Sequence, residues 1–258
     1  MKKLVLSIAF IGIALAGNAQ IIKSNLFSNY KEGDSLEKAA YAAPSDPIQQ
    51  DTWCAAFMKK PVPGSESPKL GAGLTYPGYP EGGLSAILGF PKGLKGSHNS
   101  TYSITAGKQH KKGVFYLACL VNMKKAGTTK PLELIAMNAT YAGGSARSQV
   151  LINKTEDGKI RFTVACGKLR TENNQTYDFG KTYLIVLKQD YTNKKVSMFI
   201  NPDLNGTEPK ADAEVDGTTA ANAAIKAFSF KNAHSYQGNI GNFRLVKSWA
   251  DLTTQPVQ

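Results

Sequence analysis

The chain has 258 residues, of which 42% are apolar, and it carries a formal net charge of +12 at pH 7. This size fits one all-β domain with a sizeable core and excludes a small disulfide-stapled scaffold. The lysines occur mainly as scattered pairs, such as Lys59-Lys60 and Lys194-Lys195, at predicted strand ends and turns. We interpret them as solvated turn charges, with an acidic polysaccharide surface as the alternative.

Residues 1–19 have the pattern of a secretory signal peptide. Two lysines precede an apolar run over residues 4–15, and small residues stand directly before Gln20. Such a run is too short to span a bilayer, so we expect cleavage after Ala19. No later apolar run is long enough for a membrane helix. We therefore expect a secreted or periplasmic protein, residues 20–258, that does not span a membrane and does not bind nucleic acid.

Short apolar runs separated by turn-forming residues predict strands along the rest of the chain. The N-terminal part predicts a short strand within residues 21–30, a brief helical turn capped by Asp34 and Ser35, and a buried segment at 53–57. Further strands are predicted at residues 70–76, 84–90, 114–123, 132–138, 149–153, 160–165, 225–230 and 240–246. About ten strands with hardly any helix favour two packed antiparallel sheets.

The clearest pattern is a hairpin formed by residues 183–187 and 196–200. The first run is apolar on both faces, which is typical of a strand buried in the middle of a sandwich. In the second run, Val196, Met198 and Ile200 alternate with Ser197 and Phe199, as expected of a strand with two different faces. The whole chain is therefore predicted to be one all-β sandwich domain over residues 20–258.

Several stretches together resemble secreted bacterial proteins of the concanavalin A-like, laminin-G-like jelly-roll class. They are YKEGDSL, LTYPGYPEGG, GVFYLACLVNM, FGKTYLIVLKQDY, VSMFINPDLNGTEP and GNIGNFRLVKSWADL. The resemblance covers nearly the whole chain after residue 19 and implies a two-sheet antiparallel jelly-roll sandwich. It also implies that the closing strand, which ends at Trp249, packs near the N-terminal strand. It is specific for the fold and implies no particular activity.

Exposed aromatic rings are one resource for binding sugars, because a ring stacks on the apolar face of a pyranose. Tyr76 and Tyr79 flank Pro77-Gly78, a pattern typical of a tight turn, so both rings are candidates at a loop tip. Tyr102 is a third candidate. The alternative is that these rings cover the open ends of the core. We expect a non-catalytic module that binds an extracellular glycan or protein through loops at the sandwich edge, or a purely structural or adhesion domain.

An enzyme is the rival hypothesis, because glucanases on this fold place alternating acids along one strand. Asp212, Glu214 and Asp216 alternate in this way but lie among turn formers, which favours a solvated loop. Glu133 is a lone acid in a predicted strand and has no partner nearby in sequence. A glycoside hydrolase or lyase that uses these acids therefore stays an alternative.

The resemblance also implies a calcium option, because some laminin-G relatives hold calcium with loop oxygens. Asp203 and Asn205 are the candidate ligands, together with Asp190, although no spaced Asp-rich loop is present. No other cofactor is expected. The three cysteines, Cys54, Cys119 and Cys166, are odd in number and widely spaced, which favours buried thiols and leaves one disulfide open.

Overall fold

The computed structural model of this protein describes residues 21–37, 51–55, 67–80, 82–90, 97–104, 110–127, 130–139, 146–217 and 225–255. The predicted signal peptide lies outside these ranges. The described residues form fifteen strands and one short 3-10 turn. They are β1 (Ile21–Lys23), β2 (Trp53–Ala55), β3 (Leu70–Gly71), β4 (Ser85–Leu88), β5 (Ser97–Ser103), β6 (Val114–Lys125), β7 (Leu132–Asn138), β8 (Ala146–Lys154), β9 (Ile160–Cys166), β10 (Leu169–Glu172), β11 (Thr182–Asp190), β12 (Lys195–Ile200), β13 (Ala213–Asp216), β14 (Ala227–Ala233), β15 (Gln237–Val246) and η1 (Ala250–Leu252).

The strands form two antiparallel sheets that pack face to face. The first sheet has the order β13-β12-β11-β6-β15-β4-β3, and β1 pairs with β15 beside this path. The second sheet has the order β10-β9-β8-β7-β14-β5-β2. This arrangement confirms the predicted all-β, two-sheet jelly-roll sandwich.

Two finer predictions about the first sheet are also confirmed. Strands β11 and β12 form the predicted hairpin, in which Ile185 pairs with Ile200 and Asp190 pairs with Lys195. The closing strand β15 lies beside the N-terminal strand, because Ile21 of β1 pairs with Val246. Strand β15 also pairs with β6 and β4, so it lies in the interior of its sheet.

The prediction of a helical turn that starts at Asp34 and Ser35 is wrong for the described part of that segment. Ser35 forms an isolated antiparallel bridge with Lys69. The backbone N–H of Leu36 donates to the carbonyl of Pro68 at 2.9 Å. Because these groups pair with a distant segment, they are not available for the local hydrogen bonds of a helix.

The interior between the sheets holds an aromatic cluster at one end. The ring of Trp53 lies 5.2 Å from that of Tyr102 and 5.7 Å from that of Phe243, measured between centroids. Phe228 and Phe230 of β14 pack against the same group at 5.8 and 5.5 Å from Trp53. Rings in edge-to-face and stacked arrangements at these distances contribute beyond their buried area, so this cluster joins β2, β5, β14 and β15.

The outer face of the first sheet is apolar and is covered by loops. Phe199 of β12 packs against Trp249 at 5.0 Å, and Leu204 belongs to the same cluster. The loop that carries Leu204 is fixed by a polar contact, because the Tyr116 hydroxyl donates to Glu208 at 2.5 Å. Because loops cover the outer face of the first sheet, both faces of β11 are buried and apolar. The outer face of the second sheet, in contrast, carries polar side chains.

Candidate functional site

Polar side chains line the outer face of the second sheet. Because side chains alternate along a strand, Phe228 and Phe230 point into the core while Ser229 and Lys231 point outward. The registers of β5, β7 and β8 place further polar side chains beside them. We call this surface the polar face. Its central members are Asn99, Thr101, Glu133, Gln149, Ser229 and Lys231.

The middle of the polar face consists of small side chains. Ser229 of β14 pairs with Ala136 of β7 on one side and with Thr101 of β5 on the other. Ala136 in turn lies opposite Gln149 of β8, which pairs with Ala165 of β9. These small side chains are fully buried, since Thr101, Ala136 and Ser229 are each 0% exposed.

Four polar side chains from four adjacent strands form one hydrogen-bonded network beside these small residues. Lys231 Nζ donates to Asn99 Oδ1 at 2.7 Å and lies 3.9 Å from Glu133 Oε1. Asn99 Nδ2 donates to the same Glu133 oxygen at 3.4 Å. Gln149 Nε2 donates to the other oxygen, Glu133 Oε2. The side chains of Glu133 and Lys231 are 11% and 16% exposed, so the network is sheltered but reaches solvent.

Several buried polar atoms near this network have no hydrogen-bond partner among the described residues. They include Thr101 Oγ1, Thr163 Oγ1, Asn138 Oδ1 and Arg161 Nε. All four side chains belong to the outward-facing positions of the second sheet. A buried polar group without a partner is costly. These atoms have almost no accessible surface, so they do not mark a contact with a surface ligand.

The three tyrosines that the sequence suggests as sugar platforms are not brought together on one surface. Tyr79 is only 5% exposed, and its hydroxyl donates to the carbonyl of Asn242 at 3.1 Å. Tyr102 is 6% exposed within the aromatic cluster, and its hydroxyl donates to Asp51 Oδ1 at 3.2 Å. Tyr76 is half-buried against the outer apolar cluster. Burial raises the pKa of each hydroxyl. Of the three, only Tyr76 keeps part of its ring accessible.

The alternating acids lie partly on a strand, so the expectation of a solvated loop is wrong for residues 213–216. The carboxylate of Asp212 makes a structural hydrogen bond, because its Oδ2 accepts from the backbone N–H of Ile200 at 2.7 Å. Glu214 and Asp216 are exposed on the edge strand β13 and line an open cleft of ≈ 280 Å³. Lys195 Nζ lies 3.8 Å from Glu214 Oε1. The other cleft residues are Leu169, Arg170, Thr171 and Val215, none of which is aromatic.

The predicted calcium ligands do not form a cage. Asp203 Oδ1 accepts from the backbone N–H of Asn205 at 2.9 Å, which closes a local turn on an exposed loop. Both carboxylate oxygens of Asp190 are taken by Asn193, whose backbone and side-chain nitrogens donate at 2.8 Å each. Calcium takes about six to eight oxygens. Within the described ranges, no three His, Cys, Asp or Glu side chains form a group that could hold a metal.

Asp190 instead stabilises the β11–β12 hairpin, and this role predicts a pH dependence. Burial opposes its ionisation, but the hydrogen bonds from Asn193 and the nearby Lys188 outweigh burial and lower the pKa of the carboxyl. Because the folded-state pKa is the lower one, the stabilisation is complete above the unfolded-state pKa and is lost as pH falls through the folded value. We expect Asp190→Asn to lower the free energy of unfolding by about 1 kcal/mol at pH 7.

Urea denaturation of both proteins at a series of pH values checks this prediction. The difference between native protein and variant should shrink below about pH 4 and vanish once the native carboxyl is protonated. The control is Asp216→Asn, because Asp216 is exposed on an edge strand. A difference that persists unchanged into acid would show that the charge of Asp190 is not the stabilising feature.

No disulfide joins Cys54, Cys119 and Cys166 in the described part of the chain, so the bridge that the sequence left open is absent. Cys119 and Cys166 are buried in β6 and β9, and burial raises the pKa of Cys119. Cys54 is half-buried beside Thr101, and burial, followed by the nearby Glu37, raises its pKa to about 11. The thiols of Cys54 and Cys119 are therefore protonated at neutral pH and are poor nucleophiles. Among the described residues, no helix has the length and apolar character needed to cross a bilayer.

No protein-family model matches this chain, and no curated protein matches it. Several solved structures are similar to it. A sialidase aligns with a TM-score of 0.45 and 13% identity over 83% of this chain and 18% of its own. A Trypanosoma rangeli sialidase mutant with trans-sialidase activity aligns at 0.44 and 13% identity over 66% of this chain and 29% of its own. An alginate lyase from Pseudomonas aeruginosa aligns at 0.42 and 10% identity over 69% of this chain and 86% of its own. This chain therefore spans less than a third of either sialidase.

Proposed function

We propose that this protein is an exported, non-catalytic sandwich domain that binds a glycan across the polar face. The observation that carries the proposal is the partly exposed network of Asn99, Glu133, Gln149 and Lys231. Amide and charged side chains held in fixed positions are suited to hydrogen-bond sugar hydroxyls.

The distribution of carboxylates favours binding over hydrolysis. Glu133 is the carboxylate of the network, and Glu172 is the acid that lies in the same row of the described strands. Three strand spacings separate them, which is roughly 14 Å. Paired catalytic carboxylates lie about 5–9.5 Å apart. The polar face therefore lacks, among its described residues, the pair that a two-carboxylate glycosidase needs.

A glycan array with the purified protein tests the proposal, and Gln149→Ala is the diagnostic variant. Gln149 is half-buried at one end of the network, and its loss should weaken glycan binding about tenfold because one or two hydrogen bonds to the ligand disappear. The matched control is Gln175→Ala, since Gln175 is exposed in the loop that follows β10. It should bind glycans as the native protein does.

The same array distinguishes the loop site that the sequence suggests. A Tyr76→Ala variant that loses binding while Gln149→Ala keeps it would place the ligand at the sandwich edge and overturn the polar-face site. Repeating the array with and without calcium tests whether glycan binding needs a calcium ion held by Asp203 and Asn205. Absence of binding to every glycan would reject the proposed function. If the protein cleaved a bound polymer into shorter chains, the non-catalytic part of the proposal would be rejected.

A further inference from the structure

Strand β10 ends the second sheet with an exposed edge. It pairs with β9 on one side, and no described strand pairs with it on the other. All four of its residues are exposed. Edge strands offer backbone N–H and C=O groups to other chains unless a proline, a bulge or a row of like charges blocks pairing. Strand β10 has the sequence LRTE and an unbroken register with β9, so it has none of these three features.

The backbone groups at this edge belong to Arg170 and Glu172. On the inner side of the hairpin, the N–H of Asn173 donates to the carbonyl of Phe162 at 2.9 Å. Residues along an antiparallel strand alternate between hydrogen-bonded and non-hydrogen-bonded pairs, so residues two apart direct their backbone groups to the same side. The groups of Thr171 therefore face β9, as those of Asn173 do. The N–H and C=O groups of Arg170 and Glu172 face away from it.

The side chains at this edge are complementary to those of a second copy of the chain. If a two-fold axis passes beside Thr171, Arg170 of each copy lies opposite Glu172 of the other copy. Opposite residues of an antiparallel pair share one face of the sheet, so two stabilising Arg–Glu pairs form. Residues 170 and 172 also carry the free backbone groups, so this register gives four hydrogen bonds between the copies. Glu172 already pairs with Arg161 at 3.0 Å, but a carboxylate has acceptor sites for a second arginine.

The neighbouring edge strand β13 lacks this self-complementarity. Its exposed acids, Glu214 and Asp216, are two residues apart, and Asp212 precedes them at the same interval. Every two-fold antiparallel register that pairs these residues therefore places acid opposite acid, which is destabilising. On β10, in contrast, pairing also covers an apolar group. Leu169 is 46% exposed at the rim of the cleft between β10 and β13, and its contact with a second copy would remove apolar surface from water.

We propose that this protein forms a two-fold symmetric dimer through β10, in which the second sheets of both copies join into one continuous sheet. The proposal is independent of glycan binding. A two-fold axis perpendicular to the joined sheet would place both polar faces on the same side of the dimer. Strands of four residues bury far less than the roughly 800 Å² per partner of a standard interface. We therefore expect a weak dimer with a dissociation constant of roughly 10–100 μM.

Sedimentation velocity between about 1 and 500 μM protein covers this expected range. Arg170→Glu and Glu172→Arg should each weaken dimerisation at least about tenfold, because each places like charges opposite one another. An equal mixture of the two variants should dimerise again, since one strand then carries only acids and the other only arginines. The control is Lys124→Glu, which makes the same charge change at an exposed position near the end of β6 and should dimerise as the native protein does.

The register is tested by cross-linking with Thr171→Cys. Opposite Cα atoms in a non-hydrogen-bonded pair are about 4.5 Å apart, which suits a disulfide, so mild oxidation should give a covalent dimer. Leu169→Cys is the matched control, because its two copies would lie four residues apart, roughly 14 Å, and should not cross-link. The native protein, oxidised in parallel, should stay non-covalent.

Three results would overturn the dimer through β10. The first is a native protein that stays monomeric over the whole concentration range. The second is a native dimer that both Arg170→Glu and Glu172→Arg leave unchanged, since the copies would then meet through another surface. The third is cross-linking of Leu169→Cys as efficient as that of Thr171→Cys, which would exclude the register. Glycan binding by the monomer would remain possible in each case, so the proposed function is tested separately.

Discussion

Replacing Phe243 with alanine should lower the free energy of unfolding by about 3–5 kcal/mol. Phe243 is 1% exposed and lies on β15, in the interior of the first sheet. Its ring is 5.5–6.1 Å from the rings of Phe27, Trp53, Phe228 and Phe230. Alanine would remove the ring through which β15 packs against the second sheet and leave a cavity that these large neighbours cannot easily fill.

Guanidinium-induced unfolding measures this loss, and two variants calibrate it. Phe243→Leu keeps most of the apolar volume and should cost about 1.5 kcal/mol or less. Ile87→Ala removes a side chain that is 44% exposed and should change the free energy of unfolding by about 0.5 kcal/mol. A loss below about 1 kcal/mol for Phe243→Ala would show that the aromatic cluster can close around the gap.

The strands with strong apolar patterns were predictable, because burial of both faces gives a continuous apolar run and burial of one face gives a period of two. Strands β6, β7, β9, β11 and β12 follow the predicted ranges within a few residues. Strands β5, β10 and β13 were missed, since SHNSTYS and LRTE are mainly polar and AEVD has only four residues. Pairing with a neighbour and the polar outer surface decide their structure, and neither is visible in a local apolar pattern.

The polar face was not predictable, because its members are distant in the chain. Glu133 looks like a lone acid in the sequence, yet strand pairing brings Lys231, Asn99 and Gln149 to it from 98, 34 and 16 positions away. An irregular register between β7 and β8 lies next to Glu133. A shift of one residue would turn every side chain to the opposite face, so the network depends on details that a single sequence does not contain.

The tyrosine candidates differ from the sequence-based prediction for another reason. The Tyr-Pro-Gly-Tyr segment does form a turn, in which the backbone N–H of Tyr79 donates to the carbonyl of Tyr76 at 3.1 Å. The turn lies against the outer apolar face of the first sheet, so the ring of Tyr79 is buried above Arg244, 5.9 Å from the guanidinium carbon. A turn pattern predicts backbone geometry, whereas exposure of its rings depends on the surface beneath it.

The second large effect is expected from Gly238→Ala, which should lower the free energy of unfolding by about 3 kcal/mol or more. Gly238 has a φ of +150° and lies in β15, paired with Met123 on one side and Leu88 on the other. A Cβ atom there would lie 2.2 Å from the carbonyl oxygen of Asn122 and 2.8 Å from the Cα of Met123. Both contacts are with backbone, so the clash can be relieved only by separating β15 from β6.

Gly113→Ala is the matched control, since Gly113 also has a positive φ, +82°, but nothing lies within 4 Å of an added Cβ atom. It should therefore lower the free energy of unfolding by only the conformational cost of a positive φ, which is about 1–2 kcal/mol. Denaturant unfolding of both variants separates the conformational cost of the left-handed region from the cost of the close approach between β15 and β6. Equal losses would mean that the strands adjust to the methyl group, and the tight packing of β15 against β6 would then not be a source of stability.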